Sequence, residues 1–410
     1  MKRKSFTGFA LIALVCFSCT NRNPGKGSEK EKFNEVTFEY DLNYLKGRDS
    51  VLVLQNSAGT GQIIVSPKYQ GKVFTSTSEG LNGKSFGWIN YNAFDKEKDS
   101  HMNAYGGEDR LWLGPEGGKY SIFFKPGTKM EFENWHTPAA FDSENWKLVF
   151  SDQKKVSMSK EMNLLNYAGT NLNLRIERDI LILENKDIES LLKITLTDQV
   201  KPVGFKTVNT IINTGDKEWN KQTGAPCLWN LDMFSPSQKT VIVIPYTENT
   251  TGKVATTDYF GEISQNRIQY KDGILYFRAD GKSRGKLGIP PVRAKNMAGS
   301  YDASGNILTI TLFDVNKDAT YLNQEWTTDK DPFTGDVVNA YNDGPLETGT
   351  QMGPFYEIES VSPAAFLKPR EKLVHTHHVF HFTGSKAELN VIAQKLLGTS
   401  LQQIETAFIQ

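Results

Sequence analysis

Three groups of residues in this 410-residue chain have the types and spacing to handle protons or polyols. The first is Glu357 and Glu359. Two apart in a strand-like run, they point to the same face. Neighbouring carboxylates on one face split their pKa values, leaving one acid and one base. The alternative is a solvated strand face with two inert glutamates. The second group is His375, His377 and His381, on one face of the run at 374–382; with His378, four of the six histidines fall within seven residues. Such imidazoles can bond sugar hydroxyls, shuttle a proton near neutral pH, chelate a metal if a third ligand arrives, or form a structural polar cluster. The third group lies in the Gly-rich stretch 106–118, with Glu108, Asp109, Arg110, Trp112 and Glu116. A sugar site needs planar polar groups for paired hydroxyls and an aromatic face for the C–H side of the ring. This stretch offers both, and Arg110 adds a fork for a sugar carboxylate. The alternative is a hairpin with Trp112 in the core. No Lys-Ser/Thr step follows the glycines, so it is not a phosphate loop.

Lys286, between Gly285 and a second glycine two residues on, allows close approach of a ligand. It closes a basic stretch with Arg278, Lys282 and Arg284. That stretch reads as a loop, either solvated or steering an anionic sugar. Asp329, Asp331 and Asp336 have a loose oxygen-ligand spacing for Ca²⁺ but depart from the EF-hand pattern. No cofactor is expected; a divalent cation at the histidines or these aspartates is the alternative.

The elements that must position these residues read as strands. Short apolar or β-branched runs occur at 51–54, 62–65, 72–76, 120–124, 148–150, 180–184, 192–197 and 208–213. Others follow at 240–245, 274–277, 307–313, 355–360 and 374–382. Turn signals separate them at Lys271-Asp272-Gly273, at 303–306 and at Asn342-Asp343-Gly344-Pro345. The first helical period appears at the C-terminus. There Ser385 and Glu388 spell a capping box, Leu389, Ile392, Ala393 and Leu396 make one apolar face, and Gly398 is a stop. The reading is a single all-β unit over 35–410, two large antiparallel sheets packed face to face with a short C-terminal helix.

Lys+Arg and Asp+Glu are both 47, a balance that argues against nonspecific binding to nucleic acid. Lys2, Arg3 and Lys4 precede an apolar run at 8–17 that is short for a membrane span, and Ser18-Cys19 ends it. A small residue before cysteine at that place resembles the lipobox of bacterial lipoproteins. The resemblance implies a signal peptide at 1–18, a lipidated Cys19, and a protein anchored by lipid to a membrane, in the periplasm or on the outer surface of a Gram-negative bacterium. Removing 1–18 leaves 44 basic against 47 acidic residues, and Cys227 as the unlipidated cysteine. One thiol cannot pair within the chain, so Cys227 is expected to be buried and structural. Residues 19–34 read as a flexible tether.

Three stretches carry a second resemblance: Gly106 to Gly118, Gly335 to Pro345 (which includes Asp343), and Tyr356 to Ala364 running on to His375-Thr376-His377. Together they resemble a poorly characterised group of exported bacterial proteins with the galactose-mutarotase-like (aldose-epimerase-like) supersandwich. The likeness implies a carbohydrate partner, and either acid/base chemistry on a sugar (epimerase-, lyase- or hydrolase-like) or noncatalytic glycan binding within a polysaccharide-utilisation system. True mutarotases place a histidine before an aromatic-Asn-Leu step and a glutamate near the C-terminus. Here Trp229-Asn230-Leu231 keeps the step without the histidine, and Glu359 or Glu357 stands for the glutamate. Residue chemistry and the resemblance together make Glu359, His377 and His375 the catalytic candidates, with Arg110, Trp112, Glu116, Lys286, Asp343 and Glu357 binding substrate. All are expected on the concave face of the larger sheet.

Overall fold

The computed structural model describes residues 36–409; the leader at 1–18, Cys19 and the tether at 19–34 lie outside them. In chain order the strands are β1 (Leu52–Gln55), β2 (Gln62–Ser66), β3 (Lys72–Thr77), β4 (Arg110–Gly114), β5 (Lys147–Ser151), β6 (Lys155–Leu165), β7 (Asn171–Ile182), β8 (Val200–Asn213) and β9 (Cys227–Phe234). There follow β10 (Thr240–Pro245), β11 (Ile268–Lys271), β12 (Ile274–Arg278), β13 (Gly285–Ile289), β14 (Met297–Asp302), β15 (Ile307–Phe313), β16 (Val338–Asn342), β17 (Tyr356–Val361) and β18 (Lys372–Gly384). Ten of them form one sheet in the order β11-β12-β10-β14-β15-β18-β8-β7-β6-β5. Five form a second, β13-β16-β17-β9-β4, and β1-β2-β3 a third. A bridge between Val73 and Asp109 ties the third to the start of β4.

Alternation explains the layering. Along β7, Leu172, Leu174, Ile176, Arg178, Ile180 and Ile182 are buried while the residues between them are more exposed. That period of two gives the sheet one covered face. The main core gathers Ile176, Phe205 and Val379 of the ten-stranded sheet with Leu111, Leu228 and Ile358 of the five-stranded one. The opposite face of the large sheet is covered by the helix Lys386–Leu397, whose Leu389, Ile392 and Ala393 pack with Phe380 and Phe382.

Several expectations change. Residues 120–124 are a buried loop rather than a strand, held by local bonds such as Ile122 N–H to the Pro115 carbonyl. The aromatic run that read as strand covers a sheet instead of joining one. The expected strand at 192–197 is absent: Leu192 ends a helix, Asn185–Leu192, packed in the core, and 193–197 are turn and loop. A further helix, Phe38–Lys46, precedes the first strand. Lys286 sits in β13, not in a loop, because Gly285–Ile289 pairs along its whole length with β16. Gly398 takes the left-handed conformation at the helix end as expected, but Ser385 makes no capping bond. A capping box forms instead at the next helix, between Ser400 and Gln403, at the start of Leu401–Thr406. Cys227 is free and buried, and burial pushes its thiol up to about 12.

Candidate functional site

The even-numbered residues of β17 point into the sandwich. Tyr356 Oη lies 2.8 Å from Ser300 Oγ on β14, and Ser360 Oγ lies 2.8 Å from both His375 Nε2 and His377 Nδ1 on β18. By alternation, Glu357 and Glu359 point the other way, off the outer face of the five-stranded sheet. Register then fixes their neighbours. Arg110, Leu231, Glu359, Asn339 and Gly288 form one row across β4-β9-β17-β16-β13. The next rows hold Met233, Glu357, Tyr341 and Lys286 on one side, and Trp112, Trp229 and Val361 on the other.

Within this frame the acidic and basic heads meet diagonally. Lys286 Nζ donates to Glu359 Oε2 at 3.0 Å, and the Trp229 indole N–H donates to the same oxygen at 2.8 Å. Glu359 Oε1 is buried with no hydrogen-bond partner among the described residues. Arg110 Nη2 donates to Glu357 Oε1 at 3.2 Å, and its guanidinium lies over the Trp112 ring at 4.2 Å. Lys286 Nζ stands 4.6 Å over Trp229, which meets Trp112 edge-on at 5.8 Å. Burial first, and the charge of Glu359 second, raise Glu357 to about 8. Glu116, in the loop after β4, is also raised by burial, with Lys286 acting against that shift. Asp343, just past β16, accepts from Tyr341 Oη at 3.0 Å and from the Gly353 N–H at 3.0 Å.

Loops roof the face, and glycine lets them lie close. A Cβ on Gly288 would stand 2.1 Å from Asp336 Oδ2. Asp336, raised to about 6 by burial, accepts from Tyr259 Oη at 2.7 Å, and Tyr259 in turn flanks Lys286. Asp329 and Asp331 are exposed, apart from this buried aspartate. No group of three or more His, Cys, Asp or Glu side chains able to hold a metal occurs among the described residues.

Of the residues singled out in the sequence, Arg110, Trp112, Glu116, Lys286, Glu357 and Glu359 converge here, with Asp343 one residue pair further along. They do so on the smaller sheet rather than the larger. His375 and His377 do not join them. Both are buried between the sheets, because β18 belongs to the opposite sheet and turns its odd-numbered side chains inward. His377 Nε2 lies 2.7 Å from Asp232 Oδ2 and His381 Nε2 lies 2.9 Å from Glu108 Oε1. Ser360, His377 and Asp232 thus form a serine-histidine-aspartate chain, all three fully buried between the sheets. Two open clefts, of about 500 Å³ beside Phe313 and Asp314 and about 610 Å³ beside Glu79 and Lys201, share no residue with the charged cluster. Sequence reading missed Trp229 and Tyr259 as partners of the cluster. The aromatic-Asn-Leu step marked Trp229; nothing local marked Tyr259.

A family profile described as "Family of unknown function (DUF6786)" matches residues 36–408. The chain belongs to DUF6786. No curated protein sequence matches it. Among solved structures, this DUF6786 chain is similar to a putative aldose 1-epimerase from Escherichia coli K12, with a TM-score of 0.51 at 10% identity, covering 82% of this chain and 99% of that one. It is also similar to the Slr1438 protein from Synechocystis sp. PCC 6803, with a TM-score of 0.50 at 14% identity, covering 82% and 97%. The DUF6786 fold here is therefore galactose-mutarotase-like, as the sequence motifs implied.

Proposed function

We propose that the outer face of the five-stranded sheet binds a carbohydrate. One observation carries this reading: Glu359 is anchored through one oxygen by Lys286 and Trp229 and leaves the other without a partner among the described residues, beside indole rings and a second carboxyl. Buried polar atoms are nearly always satisfied, and a polyol brings the O–H donor this oxygen lacks while its C–H face suits an indole. The epimerase-like fold supports the same reading. A second reading, acid/base chemistry on the bound sugar, is favoured by Glu357, whose raised pKa lets it hold or release a proton near neutrality beside Glu359. In this reading the histidines take no part.

The test is a glycan array with an activity screen on purified protein, followed by Glu359→Gln and Glu357→Gln. For a catalyst, Glu357→Gln lowers turnover by about 10²–10⁴-fold while binding stays within a few-fold. For a binder, affinity falls in Glu359→Gln and wild type shows no turnover on any sugar. Unchanged binding and turnover reject the site. We further propose that Cys19 carries the lipid that holds the protein at a membrane, in the periplasm or on the outer surface. The order of charged, apolar and Ser-Cys residues at 2–19 supports this. Cys19→Ser is expected to release the protein to the soluble fraction; unchanged membrane retention counts against the anchor.

A further inference from the structure

We propose that the sugar taken by this face carries a carboxylate, a hexuronate, and that Arg110 is the residue that binds it. The proposal rests on the carbohydrate reading above. Arg110 has five N–H donors on a side chain only 5% exposed. One donates to Glu357 at 3.2 Å. Nη1 meets only the Met102 thioether, at 4.0 Å, and Nε has no acceptor among the described residues. The ring beneath it repeats the pattern: the Trp112 indole N–H is also buried without an acceptor among the described residues. A buried donor left unpaired is costly, more so on a cation. Adjacent orphaned donors call for a ligand group that only accepts. A hydroxyl brings a donor with each acceptor, whereas an ionised carboxylate is all acceptor. It also matches a guanidinium fork in one plane, and here that fork lies over an indole.

The neighbouring acids do not supply this group. The carboxyls facing Arg110 are Glu357, Asp142, Glu359 and Glu116. Burial holds Glu357, Asp142 and Glu116 toward their neutral acids. Asp142 is already occupied by hydrogen bonds from Gln70 and Asn103. Glu359 is matched by Lys286. Arg110 keeps a charge its surroundings do not cancel.

The experiment is calorimetric titration of purified protein with glucuronate, galacturonate and their short oligomers, against the matching neutral sugars and against glucose 6-sulfate and glucose 6-phosphate. In wild type the uronate is expected to bind at least about 10-fold tighter than its neutral counterpart, the range a charge-assisted hydrogen bond supplies. Arg110→Gln is expected to erase that preference. Arg110→Lys, which keeps the charge without the fork, is expected to restore only part of it. The wild-type comparison stands even if a variant fails to fold. Equal binding of uronate and neutral sugar overturns the proposal and leaves the carbohydrate reading intact. Preference for the sulfate or phosphate ester overturns the carboxylate assignment. Binding of no sugar at all removes the carbohydrate reading and this proposal with it.

Discussion

Glu357 and Glu359 were legible as a pair because a spacing of two on a strand needs no tertiary knowledge. Which of them would hold its proton was not, because that depends on Lys286 and Arg110 arriving from 73 and 247 residues away. Lys286 donates to Glu359, and burial raises Glu357 from an ordinary 4.5 to about 8. Over that interval the folded protein binds the proton more tightly than the unfolded chain. The contribution of Glu357 to stability is thus whole below about pH 4.5 and is lost as pH rises through about 8. Asp232 (about 7) and Asp336 (about 6) are raised too and act in the same direction. The difference between wild type and Glu357→Gln isolates the one group: the fall in denaturation midpoint between pH 5 and pH 8.5 should be shallower in the variant. Equal slopes would place the titration elsewhere.

Among the elements, those with a clean period of two or an unambiguous turn were readable. The Lys271-Asp272-Gly273 turn joins β11 to β12 with Asp272 and Gly273 both at positive φ, as a two-residue hairpin requires. Strands whose two faces are both buried were harder, and β9, β13 and β16 have no exposed residue. These strands build much of the candidate site. Their outer face is buried only because loops lie on it, and no local pattern announces a loop such as the one whose Tyr259 reaches Asn339, 80 residues on. The same arrangement makes β13 intolerant of bulk. In Gly288→Ala, the new methyl would meet the Asp336 carboxylate at 2.1 Å. Either Asp336 leaves Tyr259 or the strand shifts. The expected cost is about 1–3 kcal/mol by chemical denaturation, with weakened sugar binding, since Tyr259 flanks Lys286. A variant as stable as wild type would mean that the loop yields freely.

At the scale of the whole molecule, the two main sheets are joined by charge as well as by apolar packing. Arg178 on β7 donates to Asp109 at 3.0 Å and to Asn209 at 2.6 Å, and Asn230 on β9 donates to the same aspartate at 2.8 Å. Both ions are fully buried. Removing one partner strands the other without water, so Arg178→Ala or Asp109→Ala should each destabilise the fold by about 3–5 kcal/mol. The double variant should cost less than the sum of the two, measured as a double-mutant cycle in urea. Simple additivity would show that the pair is not coupled. The two-sheet architecture itself could be anticipated from strand runs and motifs; this ionic joint could not, because Arg178 lies 69 residues from Asp109 and no local spacing links them.

One strand serves both compartments. β17 presents Glu357 and Glu359 to the outer face and hands Ser360 to two histidines on the other side. Any change at His375 or His377 will therefore tug on the backbone that aims the glutamates. A mutational scan scored by activity alone would rank those histidines beside Glu359 and draw a single catalytic centre spanning the sheet. Separating the two takes a second scale for every variant. A melting curve would move with the histidines. A proton inventory or ligand preference would move with the glutamates.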